Sequence, residues 1–207
     1  MGSEMCIRDR SGGTDICLVD GKYDGYSTNG TKYFNMNHSS NTNSGGWKGC
    51  DLRYDVLGST NTNDGDATAT TATNPVANTL MAALPSDLRA VMQPMTIYTD
   101  NTGGGSDNAS YVTKTTDYLP LLAEYEIFGT RTYANSAEKN YQAQYAYYSA
   151  GNSKVKYRHS ATGSTAWWWE RSPRYGGSNS FCIVHTNGAA SYYYARNSYG
   201  VAPAFRV

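Results

Sequence analysis

Phenylalanine and charge are both scarce in this 207-residue chain. Four Phe stand against 19 Tyr and 4 Trp, and only 16% of residues are charged, 17 basic and 17 acidic, for a formal net charge of +0. The balance argues against a protein that wraps nucleic acid or docks on anionic lipid through a basic face. Long apolar runs are missing too. None approaches the roughly 20 residues of a membrane-spanning helix, and no basic region followed by an apolar stretch marks a signal peptide at the start.

Reactive groups are sparse in pattern as well as number. Cys6, Cys17, Cys50 and Cys182 are widely separated, with no CxxC or finger-type spacing, so neither a zinc site nor a redox pair is expected. One disulfide or a set of free buried thiols remains open. His38, His159 and His185 lie far apart, with no HExxH and no i,i+4 pair. No serine sits in a GxSxG elbow, and no GxGxxG follows a strand. The expectation is therefore no metal, no cofactor and no catalytic residue. The acids of Asn61–Asp66 have the wrong offsets for a calcium loop, and the triplet Gly103-Gly104-Gly105 is followed by no P-loop lysine, so it reads as a flexible or hairpin loop.

Tyrosine is what the chain has in excess. A phenol buried as core filling needs a partner for its hydroxyl, so a packing role alone would favour Phe. Tyrosine with abundant Gly, Ser and Asn is the palette of a binding surface; the same palette also suits a loop-heavy α+β domain. The length suits one domain with a real core.

Along the chain, residues 1–10 lack periodicity and read as a tag or assembly-derived segment, with a single domain over residues 11–207. Short β-like runs and turn signals from Thr14 to Phe34 read as hairpins. Trp47–Leu57 reads as a short helix after the Gly45-Gly46 break. Asn74-Pro75 offers a helix start leading to Val76, Leu80, Met81 and Leu84. Pro85 ends it, and Ser86 caps a second helix whose Leu88, Val91, Met92 and Met95 share a face. Leu119–Phe128 is apolar and stops at Gly129. Asn135 and Glu138 form a capping box for a helix carrying Tyr141, Tyr145 and Tyr148 as one scaffold stripe. From Ala166 the character turns to strand: Trp167–Trp169, Phe181–Val184 and Val201–Val207, with loops at 172–180 and 191–200 and a turn at Thr186–Ala189. Helices followed by a closing antiparallel sheet make an α+β layout with short helices.

Three segments of the tail carry a resemblance: Trp167-Trp-Trp-Glu-Arg-Ser-Pro173, Phe181-Cys-Ile-Val-His-Thr-Asn-Gly188 and Tyr199-Gly-Val-Ala-Pro-Ala-Phe-Arg206. Together with Gly45-Gly-Trp47 and Leu84–Met92, they resemble C-type-lectin-like domains of gut bacteria and their phages. In particular they are similar to the variable proteins of diversity-generating retroelements, over most of the chain from about residue 45. In that family a reverse transcriptase recodes adenines, so AAY codons vary on a fixed scaffold. Changing the first two bases of AAY cannot give Lys, Glu, Gln, Met or Trp, and the window 172–199 contains none of these five. The sugar-binding triplets and Trp-Asn-Asp cluster of calcium-dependent lectins are absent, so calcium-mediated sugar binding is not implied.

The resemblance implies a non-enzymatic ligand-binding protein with a diversified, hypervariable region at about 172–199, located on a virion tail or bacterial cell surface. Its ligand would be a protein or glycan of a host cell or other surface, and its oligomeric state is left open. The implied binding residues are Arg174, Tyr175, Gly177, Ser178, Ser180, His185, Ser191, Tyr192, Tyr193, Tyr194, Arg196 and Asn197. Tyr and Arg would anchor, and Ser and Asn would adapt. In a strand Tyr193 would oppose Tyr192 and Tyr194; in a loop all three could be exposed. Two rivals share the fold: a formylglycine-generating-enzyme-like oxidase, which needs a close pair of reactive cysteines, and an invariant tail-fibre or surface structural module.

Overall fold

The computed structural model describes residues 34–38, 40–60, 65–67, 70–159 and 161–207, together with the backbone of three short strands within residues 4–16. The hairpins expected between residues 17 and 33, and the acidic loop at 61–64, lie outside the described residues. The architecture is α+β: short helices and turns set among small, mostly antiparallel sheets.

The strands are β1 (Glu4–Cys6), β2 (Asp9–Ser11), β3 (Thr14–Ile16), β4 (Met95–Asp100), β5 (Val112–Asp117), β6 (Lys156–Tyr157), β7 (Thr165–Ala166), β8 (Trp168–Pro173), β9 (Ser180–Val184), β10 (Ala190–Tyr194) and β11 (Ala204–Arg206). Helices are α1 (Thr70–Thr73), α2 (Leu80–Ala83), α3 (Ser86–Val91), α4 (Glu124–Phe128) and α5 (Ala146–Ser149). The sheets run β10-β9-β8, β2-β3-β6-β7, β4-β5 and β1-β11.

Apolar residues between Phe34 and Phe205 converge on one core in which Trp47, Trp168, Trp169, Phe34, Phe181, Leu52, Leu57, Met81 and Leu119 are buried. Each fully buried indole donates its N–H: Trp47 to Asp117 Oδ2 at 3.2 Å, Trp168 to the Lys154 carbonyl at 3.1 Å, and Trp169 to the Phe34 carbonyl at 2.7 Å. A Trp can therefore fill the core without an orphaned donor. Two buried ion pairs cross it, Arg53 with Asp117 and Arg171 with Glu126, both closing to 2.6 Å. Asp117 also accepts from Ser59 and Thr115, so its carboxylate is saturated with donors. That satisfaction is what makes a buried charge tolerable.

Several local expectations are corrected. The helix after Asn74-Pro75 starts later, at Leu80, where Thr79 is the cap and its Oγ1 accepts from Ala82 N–H at 3.4 Å. Asn78 stands at φ 61°, which no continuous right-handed helix can contain. Helix α3 ends at Val91, and Met95 opens β4 instead of sharing the helix face. Pro94 supplies no N–H and biases Gln93 toward extended backbone, and Gln93 pairs with Arg206. The helix expected at Trp47–Leu57 is one π-helical turn, Leu52–Val56.

The tyrosine stripe does not form. Asn135 caps through Ala137 N–H, but Glu138 turns inward to Asp100 N–H and Ser172 Oγ, so only a 3₁₀ turn, Ser136–Asn140, follows. Tyr148 reaches the core from α5, while Tyr141 is 54% exposed and stacks on Tyr98 with ring centroids 4.4 Å apart. The stop at Gly129 holds, with φ 71° capping α4. Strands β4 and β5, which flank the Gly103–Gly105 loop as a hairpin, are rich in threonine; their polar faces hide the period-two signal.

Candidate functional site

Strand β10 lies in the segment expected as loop, and it brings half of the expected binding residues together. The turn Thr186–Ala189 folds it antiparallel onto β9, with Tyr192 opposite Cys182 and Tyr193 opposite Phe181. The underlying strands are apolar and closed to solvent: Trp168, Trp169, Phe181, Cys182, Ile183 and Val184 are all buried. A rigid floor carries a polar and aromatic surface, the arrangement that holds binding groups in place at low entropic cost.

Alternation along β10 divides its tyrosines between the two faces of the sheet. On one side Tyr193 joins Trp167, Tyr199 and His185: Trp167 lies 5.7 Å from Tyr193, 5.1 Å from Tyr199 and 5.5 Å from His185 between ring centroids. Burial raises the Tyr199 phenol well above its ordinary range, and the neighbouring Tyr193 phenol adds to the effect. On the other side the guanidinium of Arg174 lies 3.5 Å over the Tyr192 ring, and Tyr133 meets the same ring edge-on at 4.9 Å. Arg131 lies 4.0 Å over Tyr175 while pairing with Asp107.

A cleft of about 420 Å³ is lined by Trp167, Ser180, Ile183, His185, Ser191 and Tyr192–Tyr194. Six of the twelve expected positions thus share one cavity. Tyr175, Ser178, Tyr193, Tyr194 and Arg196 are exposed; Arg174, Gly177, His185, Ser191, Tyr192 and Asn197 are half-buried. Ser180 is the exception, only 1% exposed, with its hydroxyl bonded to Asn179. It belongs to the cleft's wall. Arg174, Tyr175, Gly177 and Ser178 sit on the β8–β9 loop beside the cleft, and Arg196 and Asn197 on the turn after β10.

What holds that loop was not visible in the sequence. Asn43, fully buried, donates through Nδ2 to the carbonyls of Gly177 at 2.7 Å, Ser180 at 2.8 Å and Arg174 at 3.3 Å. Its Oδ1 accepts from Gly104 N–H at 2.9 Å. Gly103 adopts φ 66°, and a Cβ there would collide with the Asn43 carbonyl. The glycine triplet is thus a close-packed support for the loop, with the Gly105 carbonyl accepting from Gly176 N–H. Asn43 is more than 130 residues from the carbonyls it holds at 174, 177 and 180, and no local pattern announces such a contact. Trp167, Tyr199 and Tyr133 were likewise missed as members of the face.

Beneath the face, β8 bulges. Trp169 pairs with Ile183 and Pro173 with Phe181, so Glu170, Arg171 and Ser172 together oppose Cys182 alone. The bulge turns three polar side chains into the interior. Arg171 clasps Glu126 through two 2.6 Å hydrogen bonds, and Ser172 donates to Glu138 at 2.7 Å. Burial pushes the Glu138 carboxyl up to about 7 against these donors. Glu124 is also raised by burial, opposed by the amides of Ala134, Thr132 and Tyr133. Neither oxygen of Glu170 has a hydrogen-bond partner among the described residues, and burial, then the nearby Glu124 and Glu138, hold it well above the carboxylate range.

Cys50 and Cys182 are free and buried. Burial pushes the Cys50 thiol up to about 12 and raises Cys182 well above its ordinary value, so neither is a ready thiolate. Among the described residues, His38, Asp51 and Asp55 place potential metal-ligand atoms within 4.8 Å of one another. His38 Nδ1 lies 3.1 Å from Asp51 and 3.7 Å from Asp55 in a half-exposed setting, and the His38 backbone N–H donates to Asp51 Oδ2 at 2.9 Å. No helix of the described residues is long and apolar enough to cross a membrane.

Residues 26–207 fit the model of a family described as a domain of unknown function, DUF6273, whereas no curated protein and no solved structure matches. The match spans the core, the hairpin β4–β5 and the whole β8–β10 face, and the chain accordingly belongs to the DUF6273 family.

Proposed function

We propose that the chain is a ligand-binding protein on a C-type-lectin-like scaffold, of the kind that diversity-generating retroelements vary, with its binding patch in residues 172–199. The observation that carries the reading is the cleft around β10, where Ser180, His185, Ser191 and Tyr192–Tyr194 converge over buried strands. Exposed tyrosine and arginine supply stiff contact area, and the neighbouring serine and asparagine supply adaptable hydrogen bonds. The ligand is a host-cell or other surface protein or glycan. The burial of Cys50 and Cys182 favours this reading over an oxidase that works through paired reactive thiols.

Two measurements test it. In the surrounding DNA, the reading requires a near-copy of the 172–199 coding segment that differs only where it has adenine, beside a reverse transcriptase gene. On arrays of surface glycans and surface proteins, the protein should bind a small set of targets, and Tyr193→Ala and Tyr194→Ala should each weaken that binding at least tenfold without changing thermal unfolding. No near-copy together with array binding indifferent to both substitutions would refute it.

A further inference from the structure

β10 is the terminal strand of its sheet, ordered β10-β9-β8. Two hydrogen bonds fix which of its backbone groups face inward. His185 N–H donates to the Ala189 carbonyl at 2.8 Å, and Ala195 N–H donates to the Asn179 carbonyl at 2.9 Å. Antiparallel pairing alternates, so Ser191 and Tyr193 bond to β9, while the N–H and C=O groups of Ala190 and Tyr192 face the outer edge. Tyr194 also faces outward, and its carbonyl is taken by Asn197 N–H. Among the described residues no other backbone group pairs with Ala190 or Tyr192 on that edge.

Natural sheet edges are usually blunted by Lys, Pro or a bulge. The β10 sequence Ala-Ser-Tyr-Tyr-Tyr has none of these, and its register with β9 is regular. Its flanks carry the aromatic group of Trp167, Tyr193 and Tyr199 on one face and Tyr192 with Arg174 on the other. A strand added here would place alternate side chains against each group. The charge is also one-sided. From Ser172 to Tyr199 there is no Asp or Glu, while Arg174 and Arg196 are present. Arg174 Nε is buried without a hydrogen-bond partner, and no carboxylate pairs with this guanidinium among the described residues. A second copy of the chain paired along this edge would bring these arginines toward their own counterparts, which disfavours self-pairing.

We infer that the outer edge of β10 receives an extended acidic peptide segment of a partner protein as an added β-strand, its backbone pairing with Ala190 and Tyr192 and its carboxylates meeting Arg174 and Arg196. The inference rests on the reading of this face as a ligand site and specifies its partner. The test uses the full chain and fluorescent, end-blocked eight-residue peptides: (Thr-Glu)4, (Thr-Lys)4, and two (Thr-Glu)4 analogues N-methylated at the odd or the even positions. Fluorescence polarisation should show binding of (Thr-Glu)4 only, weakened at least about tenfold by one of the two methylation patterns and by Arg174→Gln. Arg196→Gln, at an exposed position, should weaken it severalfold with folding intact. Amide exchange at Ala190 and Tyr192 should slow in the complex.

No binding of (Thr-Glu)4, equal binding of (Thr-Lys)4, or equal binding of both methylated analogues overturns the inference. So does a dimer by sedimentation that protects the Ala190 and Tyr192 amides without peptide. If the peptide fails while array targets bind through Tyr193 and Tyr194, strand addition falls and the ligand-face reading stands; if both fail, both fall.

Discussion

Replacing Glu170 with methionine should stabilise the protein. The side chain is fully buried on the β8 bulge, and neither carboxyl oxygen meets a hydrogen-bond partner among the described residues. Burial, then the nearby Glu124 and Glu138, raise its pKa, and even a neutral carboxyl without partners carries a desolvation cost of about 1–3 kcal/mol. Methionine matches its length and brings no such cost. The expected gain, about 1–3 kcal/mol, corresponds to a rise of roughly 2–12 °C in the unfolding midpoint for a domain of this size. Glu170→Gln keeps unpartnered polar atoms and should give no gain.

The pH dependence carries a second signature. Glu170 and Glu138 both have pKa values raised above the ordinary 4.5 in the folded state. At these two positions the folded protein holds protons that the unfolded chain has released, so their contribution to stability is greatest below 4.5 and falls as pH rises. For Glu138 the loss runs between 4.5 and about 7 and amounts to about 3 kcal/mol. Urea denaturation from pH 5 to 8 should show stability falling with pH in the wild type, with a shallower slope in Glu170→Met. A Glu170→Met protein destabilised by more than about 2 kcal/mol, with Glu170→Gln unaffected, would refute the reasoning, because it would mean the carboxyl is held by a partner.

Other substitutions test the supports of the fold and the face. Arg53→Met strands the Asp117 carboxylate without its counter-ion and should cost about 3–5 kcal/mol in chemical denaturation. Asn43→Ala removes three hydrogen bonds to the β8–β9 loop; it should cost about 2–3 kcal/mol and speed amide exchange across residues 174–179. Gly103→Ala places a Cβ against the Asn43 carbonyl at a left-handed backbone position, so a loss of at least about 2 kcal/mol is expected in thermal unfolding.

Some of this protein was legible locally. The apolar runs at Trp168–Trp169 and Phe181–Val184 announce buried strands, Thr186–Ala189 reads as the turn that follows the second, and Gly129 stops its helix, because each depends on a few adjacent residues. The surplus of tyrosine in the chain and the absence of Lys, Glu, Gln, Met and Trp from residues 172–199 are also plain from the sequence. What failed were the extents of short helices. Asn78, Pro94 and the inward turn of Glu138 each end a helical pattern for reasons that apolar spacing does not encode.

The sequence by itself determined an α+β layout whose C-terminal segment combines apolar runs with tyrosine and arginine, since period, turn residues and composition are properties of neighbouring positions. The tertiary structure alone decided that Asn43 and the Gly103–Gly105 loop hold the β8–β9 loop, and that the β8 bulge buries Glu170 without a partner. It also decided that Tyr192 and Tyr193 part to opposite faces of an unpaired edge, with Trp167 and Tyr199 joining one of them. These are contacts between segments tens to more than a hundred residues apart, fixed by packing of the whole chain around one core.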